Sequence, residues 1–331
     1  MDGITGTLIF YVALLFIMMV PGIIMKMCSL SPNEFGKGIS NLVLYIAQPA
    51  LVFLAYVRPF DMEILKNALV VLLLSIVMHV VFAVVSIIVF RRAEDSARRM
   101  LRFATVFSNA AFMGIPLIEA VLGSEATIYA TVYNITFNLF LWSLGVYFCT
   151  AHRDMDNDGD IDSKKESFAN TFSSLGKAFI HPVTLAALLG IVFFILPIDT
   201  YIPKLAIDSL TMLKNLVAPL SMVVIGLRLA DISFKGFFRD MYMYFFIALR
   251  HFALPIVTIL ILNLVRLMGV SISDMIYMVL VIMAATPAAT SATMFAEKFD
   301  CDAAYVSKLV AFSTILSILS MPLMVMLANL F

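Results

Sequence analysis

The sequence predicts an all-α polytopic membrane protein, with ten transmembrane helices arranged as two inverted repeats of five. Three observations predict it. First, 62% of the 331 residues are hydrophobic and 13% are charged, against roughly 45–50% and about 25% for a soluble domain. Second, the runs 4–25, 68–90 and 305–331 approach or exceed the ~20 residues that carry a helix across a bilayer. Third, the proline spacing of one half recurs in the other. Net charge is zero and no basic tract is present, so the expected partner is the lipid bilayer and not nucleic acid. The apolar runs are solid, without the alternation of an outer-membrane barrel. The first is too long for a signal peptide, and no small-residue cleavage site follows it. Cys28, Cys149 and Cys301 cannot all pair with one another and match no zinc spacing.

Taken in order, the apolar segments lie near 4–26, 39–57, 67–90, 102–122, 126–150, 179–197, 207–230, 241–265, 272–296 and 304–330. Polar breaks separate them: Ser31-Pro32-Asn33, Arg58-Pro59-Phe60-Asp61, the basic cluster 91–102, Gly123-Ser124-Glu125 and the long stretch 152–177 in the first half. Of the 22 lysines and arginines, only Arg58, Lys66, Lys204, Lys214 and Arg266 fall at even-numbered loops; the other 17, Arg250 being counted generously, fall at odd-numbered loops or their flanks. Basic residues stay on the cytoplasmic side. The expected placement is therefore a cell (cytoplasmic) membrane, with both termini outside and loop 152–177 inside.

Proline removes a backbone donor and interrupts a membrane helix, so its positions mark special geometry. Pro49 and Pro116 are 67 residues apart, Pro219 and Pro287 are 68 apart, and the halves repeat at an offset of 170 or 171. Five spans per copy forces the second copy to enter from the opposite side. Inverted repeats of this kind belong to secondary transporters, whose sites lie where discontinuous helices meet. The candidate breaks are Ser108-Asn109-Ala-Ala-Phe-Met-Gly114-Ile-Pro116 and Ala284-Ala-Thr286-Pro287-Ala-Ala-Thr290-Ser291. Each combines a breaker with small residues and with amide or hydroxyl side chains. Two ordinary kinked helices packed through small residues is the competing reading.

At these residues the chain resembles the auxin efflux carrier family, which includes the plant PIN-FORMED transporters and bacterial malate–malonate permease-like membrane proteins. Asn109-Ala-Ala-Phe-Met-Gly-Ile-Pro-Leu117 is similar to that family's fourth-helix signature, and Tyr133-Asn-Ile-Thr-Phe-Asn138-Leu-Phe-Leu-Trp142-Ser-Leu-Gly145 to its fifth helix. The stretch 287–297, with Ser313-Thr-Ile-Leu-Ser-Ile-Leu-Ser-Met-Pro322, is similar to its last two helices. The resemblance implies an NhaA-like fold in which broken helices 4 and 9 cross. Repeats 1–150 and 179–331 would flank an acidic connector with an interfacial helix, 151–178. Spans 1, 2, 6 and 7 would form the scaffold and a homodimer surface, and spans 3–5 and 8–10 an elevator-like transport domain. The substrate implied is a small organic anion, either auxin-like or a dicarboxylate.

An anion is expected at the crossover, where half-helices beginning beyond Pro116 and Pro287 would turn their positive ends to the break. The candidate substrate-binding residues are Asn109, Met113, Gly114, Pro116, Thr286, Pro287, Thr290 and Ser291. Gln48, Pro49 and Pro219 would form the scaffold wall, and Asn138 would brace the crossover. Two ionisable residues fall near span centres, His79 and Arg250, 171 residues apart. A satisfied structural histidine competes with function for His79. For Arg250, snorkelling to the cytoplasmic surface competes with attraction of the anion from nearby.

No Asn-Asp or aspartate pair stands at the crossover, which argues against cation exchange, although the hydroxyls of Thr286, Thr290 and Ser291 leave sodium coupling open. Neither a Gly-Lys-Ser/Thr phosphate loop nor His-Glu-x-x-His occurs, so neither catalysis nor ATP use is expected of this chain. No cofactor is expected, with one exception to weigh. Asp154, Asp156, Asp158, Asp160 and Asp162, with Gly159 and Ile161, imitate a calcium loop. Lys165 occupies the position of the bidentate glutamate and Glu166 comes one residue late, so calcium would bind weakly, and a solvated acidic connector is the simpler reading. Phe168, Phe172, Leu175 and Phe179 recur at helical spacing after it, as an interfacial helix would. Two other functions stay open: a sodium-coupled symporter of bile-acid-carrier type and a non-transporting membrane sensor.

Overall fold

A computed structural model describes residues 2–32, 34–150, 176, 180–196, 202–232 and 239–331. The acidic loop 154–166 and the aromatic stripe that follows it lie outside the described residues. In the first half the helices are α1 (Asp2–Ile17), α2 (Val20–Met27), α3 (Phe35–Leu42), α4 (Gln48–Tyr56), α5 (Met62–Val89), α6 (Asp95–Val106), α7 (Ile115–Leu122), α8 (Ser124–Phe140) and α9 (Val146–Thr150). In the second half they are α10 (Pro182–Ile195), α11 (Lys204–Lys214), α12 (Val217–Ala230), α13 (Met241–Ala248), α14 (Leu254–Leu267), α15 (Asp274–Ala285), α16 (Ser291–Lys298) and α17 (Ala303–Ala328).

Among the described residues, seven helical stretches are long and apolar enough to cross a membrane, and each falls on one of the ten apolar segments. Segments four, six and nine carry shorter apolar helices, Ala110–Leu122, Pro182–Ile195 and Asp274–Ala285. Polar breaks supply the caps. Asp61 accepts from the Glu63 amide, Asp240 from that of Tyr242, Ser273 from that of Ile276 and Asp302 from that of Tyr305. Each satisfies an amide that the first helical turn leaves without a partner.

Prolines explain most irregular turns. A proline ring clashes with the carbonyl four residues earlier and offers no amide to it. Pro49, Pro116 and Pro255 each stand two residues past a widened π-helical turn, Val43–Ala47, Ala110–Gly114 and Leu249–Ala253. The carbonyl four residues back, on Tyr45, Phe112 or His251, sits inside that turn each time, and the wider winding moves it away from the ring. Before Pro219 a turn at Asn215–Leu216 separates α11 from α12, with both residues still in the right-handed helical region. The π-turn Leu141–Gly145 has no proline behind it, and we have no physical account of it.

This corrects the expected position of one break. Pro287 stands at the interruption of its helix, but Pro116 lies inside α7. The first interruption comes earlier, at 107–109, where Phe107 is extended (φ −93°, ψ 116°). The π-turn already relieves the Pro116 clash, so no break is needed there. The downstream half-helix therefore begins at Ala110 and not beyond Pro116.

Helices α2, α3 and α12 pack together, and α4 packs on α10 and α11. Helices α5, α6 and α8, with α15, α16 and α17, form a second set of neighbours. The tightest crossing in the first set is α2 on α12. A Cβ on Gly22 would lie 2.2 Å from the Val223 oxygen, and one on Gly226 would lie 2.1 Å from the Met19 oxygen.

Candidate functional site

The two interrupted helices meet at their breaks. Ser108 and Ala288 form an antiparallel bridge. The Asn109 amide donates to the Pro287 carbonyl at 2.7 Å, and the Ala289 amide donates to the Phe107 carbonyl at 2.9 Å. Unwound backbone in an apolar interior must find partners, and here each break supplies those of the other. Asn109 is 2% exposed. Its carbonyl accepts from the Met113 and Gly114 amides at 3.1 Å, while its side-chain Nδ2 is buried with no hydrogen-bond partner. Gly114 faces the end of α15, where a Cβ would come within 2.7 Å of Met283 Sδ and 3.4 Å of Thr286 Cγ2. The glycine thus lets the two breaks close on each other.

Arg250 does not snorkel. It is fully buried, and its guanidinium spreads across the C-terminal ends of both upstream half-helices. Nε and one terminal nitrogen donate to the Thr286 carbonyl at 3.1 and 2.7 Å. The same terminal nitrogen reaches the Ala284 carbonyl at 2.9 Å, and the other reaches Thr105 at 3.1 Å. These carbonyls belong to the last turns of α15 and α6, which lack intrahelical donors and carry the negative dipole end. The cation satisfies both at once.

Two histidines flank it. His251 bridges Ser320 Oγ (2.7 Å) and Ser313 Oγ (2.8 Å), and Ser313 in turn accepts from the Ala288 amide at 3.0 Å. A side-chain chain thereby fixes the second break to α17. His79 places Nδ1 2.7 Å from the Ser75 carbonyl, leaving Nε2 without a partner. Its ring lies 5.1 Å from those of Tyr133 and Phe140.

Among the other expected residues, Gln48 donates from Nε2 to the Ala111 carbonyl at 2.7 Å, and its Oε1 is buried and unpartnered. Met113, Pro116 and Thr286 are buried around the bridge, and the Thr286 hydroxyl donates to Met283. The Thr290 carbonyl accepts from Arg228 at 2.9 Å, and Ser291 opens α16. Pro49 and Pro219 are half-buried, in α4 and α12. Asn138 is buried on α8, and no side-chain hydrogen bond from it reaches the break. The structure thus joins Asn109, Gly114, Thr286, Pro287 and Arg250 directly, and brings Gln48 against the 110–114 turn.

Two residues went unnoticed in the sequence. Ser221 is buried on α12, which packs on the 110–114 turn, and its Oγ has no partner. Arg228 looks in sequence like one more basic loop flank, yet it turns inward to Thr290. Only the preceding Pro219 hints that α12 is unusual. Nearby, a cavity of about 910 Å³ opens between α2, α3 and α12 on one side and α16 and α17 on the other. Exposed Glu34 and Lys37 stand at its mouth, and buried Ser40, Thr290 and Thr314 mark its inner end. Among the described residues, no three His, Cys, Asp or Glu side chains cluster as metal ligands would.

Residues 7–325 match the model of the family described as membrane transport protein. Over 309 residues the chain is 25% identical to an uncharacterized transporter of Methanothermobacter thermautotrophicus, covering 93% of this chain and 94% of that one. It is 23% identical over 230 residues to an uncharacterized transporter of Methanocaldococcus jannaschii, covering 68% and 70%. Family, relatives and apolar helices agree with the resemblance carried by the fourth-segment motif. The chain belongs to the membrane transport protein family, that of the auxin efflux-type carriers, and is a multi-pass membrane transporter.

Proposed function

We propose that the protein is a secondary transporter that moves a small organic anion, a carboxylate, across the cytoplasmic membrane by elevator-type alternating access. In this reading its ten apolar segments are ten spans in two inverted repeats. The observation that carries it is the buried, unpartnered Nδ2 of Asn109 beside the paired breaks. A buried amide donor without a partner is costly, and a carboxylate is the ligand that would relieve it. The half-helices that begin at Ala110 and Ser291 add positive dipole ends. Arg250 neutralises the opposite, carbonyl ends, so the polarity left at the break favours an anion. The two sets of neighbouring helices described above are the bodies that would slide past each other.

The test is uptake of labelled acetate, succinate and benzoate into proteoliposomes, measured against protein-free liposomes. A charge-assisted hydrogen bond is worth about 1.5–3 kcal/mol, so Asn109→Ala should raise KM about tenfold or more. An Asn109→Ala protein that elutes as a folded particle with unchanged KM moves the site elsewhere. Uptake of none of the acids removes the substrate class.

Orientation has a natural probe in Cys28, which is exposed at the end of α2. In a Cys301→Ser background, a membrane-impermeant maleimide should label inside-out vesicles and spare intact cells. The reverse pattern turns the topology over.

A further inference from the structure

The cavity between α12 and α16 contains a feature that the crossover does not explain. Five cations line it: Lys26, Lys37, Arg228, Lys298 and Lys308. Lys26 pairs with Asp231 at 2.9 Å and Lys37 with Glu34 at 3.4 Å. Lys298 lies 5.0 Å above the Trp142 ring. Arg228 differs from these. It sits in the last turn of the apolar helix α12 and is half-buried. Its guanidinium donates to a neutral backbone carbonyl, that of Thr290 at 2.9 Å. Glu297 faces the same cavity but forms no ion pair with it within 4 Å among the described residues.

The position of this bond matters as much as its chemistry. Helix α12 packs on α2 and α3, whereas Thr290 stands at the head of α16, which packs on α17 and α6. This hydrogen bond therefore joins the two bodies at the inner end of the cavity, next to the break, while Tyr56 on α4 and Thr131 on α8, 2.8 Å apart, join them elsewhere. A guanidinium bonded to a carbonyl is under-used, because its planar fork matches a carboxylate bidentately and such bonds are roughly twice as strong as those to neutral acceptors.

We propose that Arg228 is an anion-binding residue of this cavity and, in the empty protein, the latch between the two bodies. A carboxylate arriving through the cavity takes over the guanidinium, the Thr290 carbonyl is released, and α16 is freed to move while the anion is handed inward. Occupancy is thereby linked to motion, since a ligand shifts a conformational equilibrium only through contacts that differ between the two states. The inference rests on the anion-transport reading above, but assigns a second subsite outside the crossover and a release step.

Hydrogen–deuterium exchange of the purified full-length protein tests it, read on the peptide covering 291–298, in sodium acetate against equal sodium chloride. Wild-type protein should exchange faster in acetate than in chloride. Arg228→Ala should exchange about tenfold faster than wild type in chloride, as expected for loss of a charged hydrogen bond, and should not respond to acetate. Arg228→Lys keeps the charge without the fork, so it should start between the two and still respond. Equal exchange of wild type in both salts, or of wild type and Arg228→Ala in chloride, overturns the proposal. A residue that merely braced α16 would produce no acetate response. The two readings also fail separately. If Asn109→Ala impairs uptake while Arg228→Ala leaves KM unchanged, the latch is wrong and the crossover site stands. If exchange responds but no acid is transported, the transport reading is wrong.

Discussion

Arg250→Ala is expected to destabilise the protein more than any other single side-chain truncation at the crossover. The substitution removes every donor now serving the carbonyls of Thr105, Ala284 and Thr286. Each buried carbonyl left without a donor costs about 1–3 kcal/mol. The loss should total several kcal/mol and appear as a large fall in melting temperature in detergent. Arg250→Lys should recover only a minor part. A lysine ammonium is compact, and the three carbonyls come from two different helices, which a planar fork with five donors spans and a point charge does not. A lysine variant as stable as wild type would show that charge alone matters, and the bridging role would be lost.

Gly226→Ala should come second. Its Cβ would stand 2.1 Å from the Met19 oxygen and 3.0 Å from the Met19 carbonyl carbon. These are backbone atoms, so no side chain can rotate away, and α2 and α12 must separate. Overpacking costs typically 1–3 kcal/mol, and here the upper end or more is expected because the whole crossing shifts. Gly22 makes the same contact from the other side, so Gly22→Ala should behave alike. Gly38→Ala provides the control. Nothing lies within 4 Å of its added carbon, and alanine in a helix gains up to about 1 kcal/mol over glycine. Equal melting temperatures for Gly226→Ala and Gly38→Ala would refute the close crossing.

The apolar segments could be read directly because a bilayer demands length and hydrophobicity, both local properties of the chain. Prolines at 49, 116, 219 and 287 signalled irregular backbone correctly, but at Pro116 not its place. The ring disturbs the turn before it, and a π-turn absorbs that disturbance at Pro116 without breaking the helix. Asn109 was readable from its motif. The role of Arg250 was not, because its three carbonyl partners lie 34 to 145 residues away and backbone carbonyls carry no sequence signature. The Gly22–Gly226 crossing is hidden for the same reason: each glycine looks ordinary until the other is in place. Arg228 does stand in the last turn of its helix, but distance along the helix says nothing about which way a side chain turns.

The bridging arginine also bears on how the protein is made. Chains emerge from the ribosome N-terminus first, so Arg250 enters the membrane when Thr105 already exists and Ala284 and Thr286 do not. At that moment one of its three carbonyl partners is available, and an uncompensated arginine at a helix centre costs at least about 2.5–3.5 kcal/mol to insert. On that order of synthesis, the Thr105 carbonyl of the first half is the partner that the incoming arginine would meet first. The two halves are unequal in time: the buried ring of His79, 171 residues before Arg250, rests on a carbonyl of its own helix, that of Ser75, whereas Arg250 depends on a partner already in place.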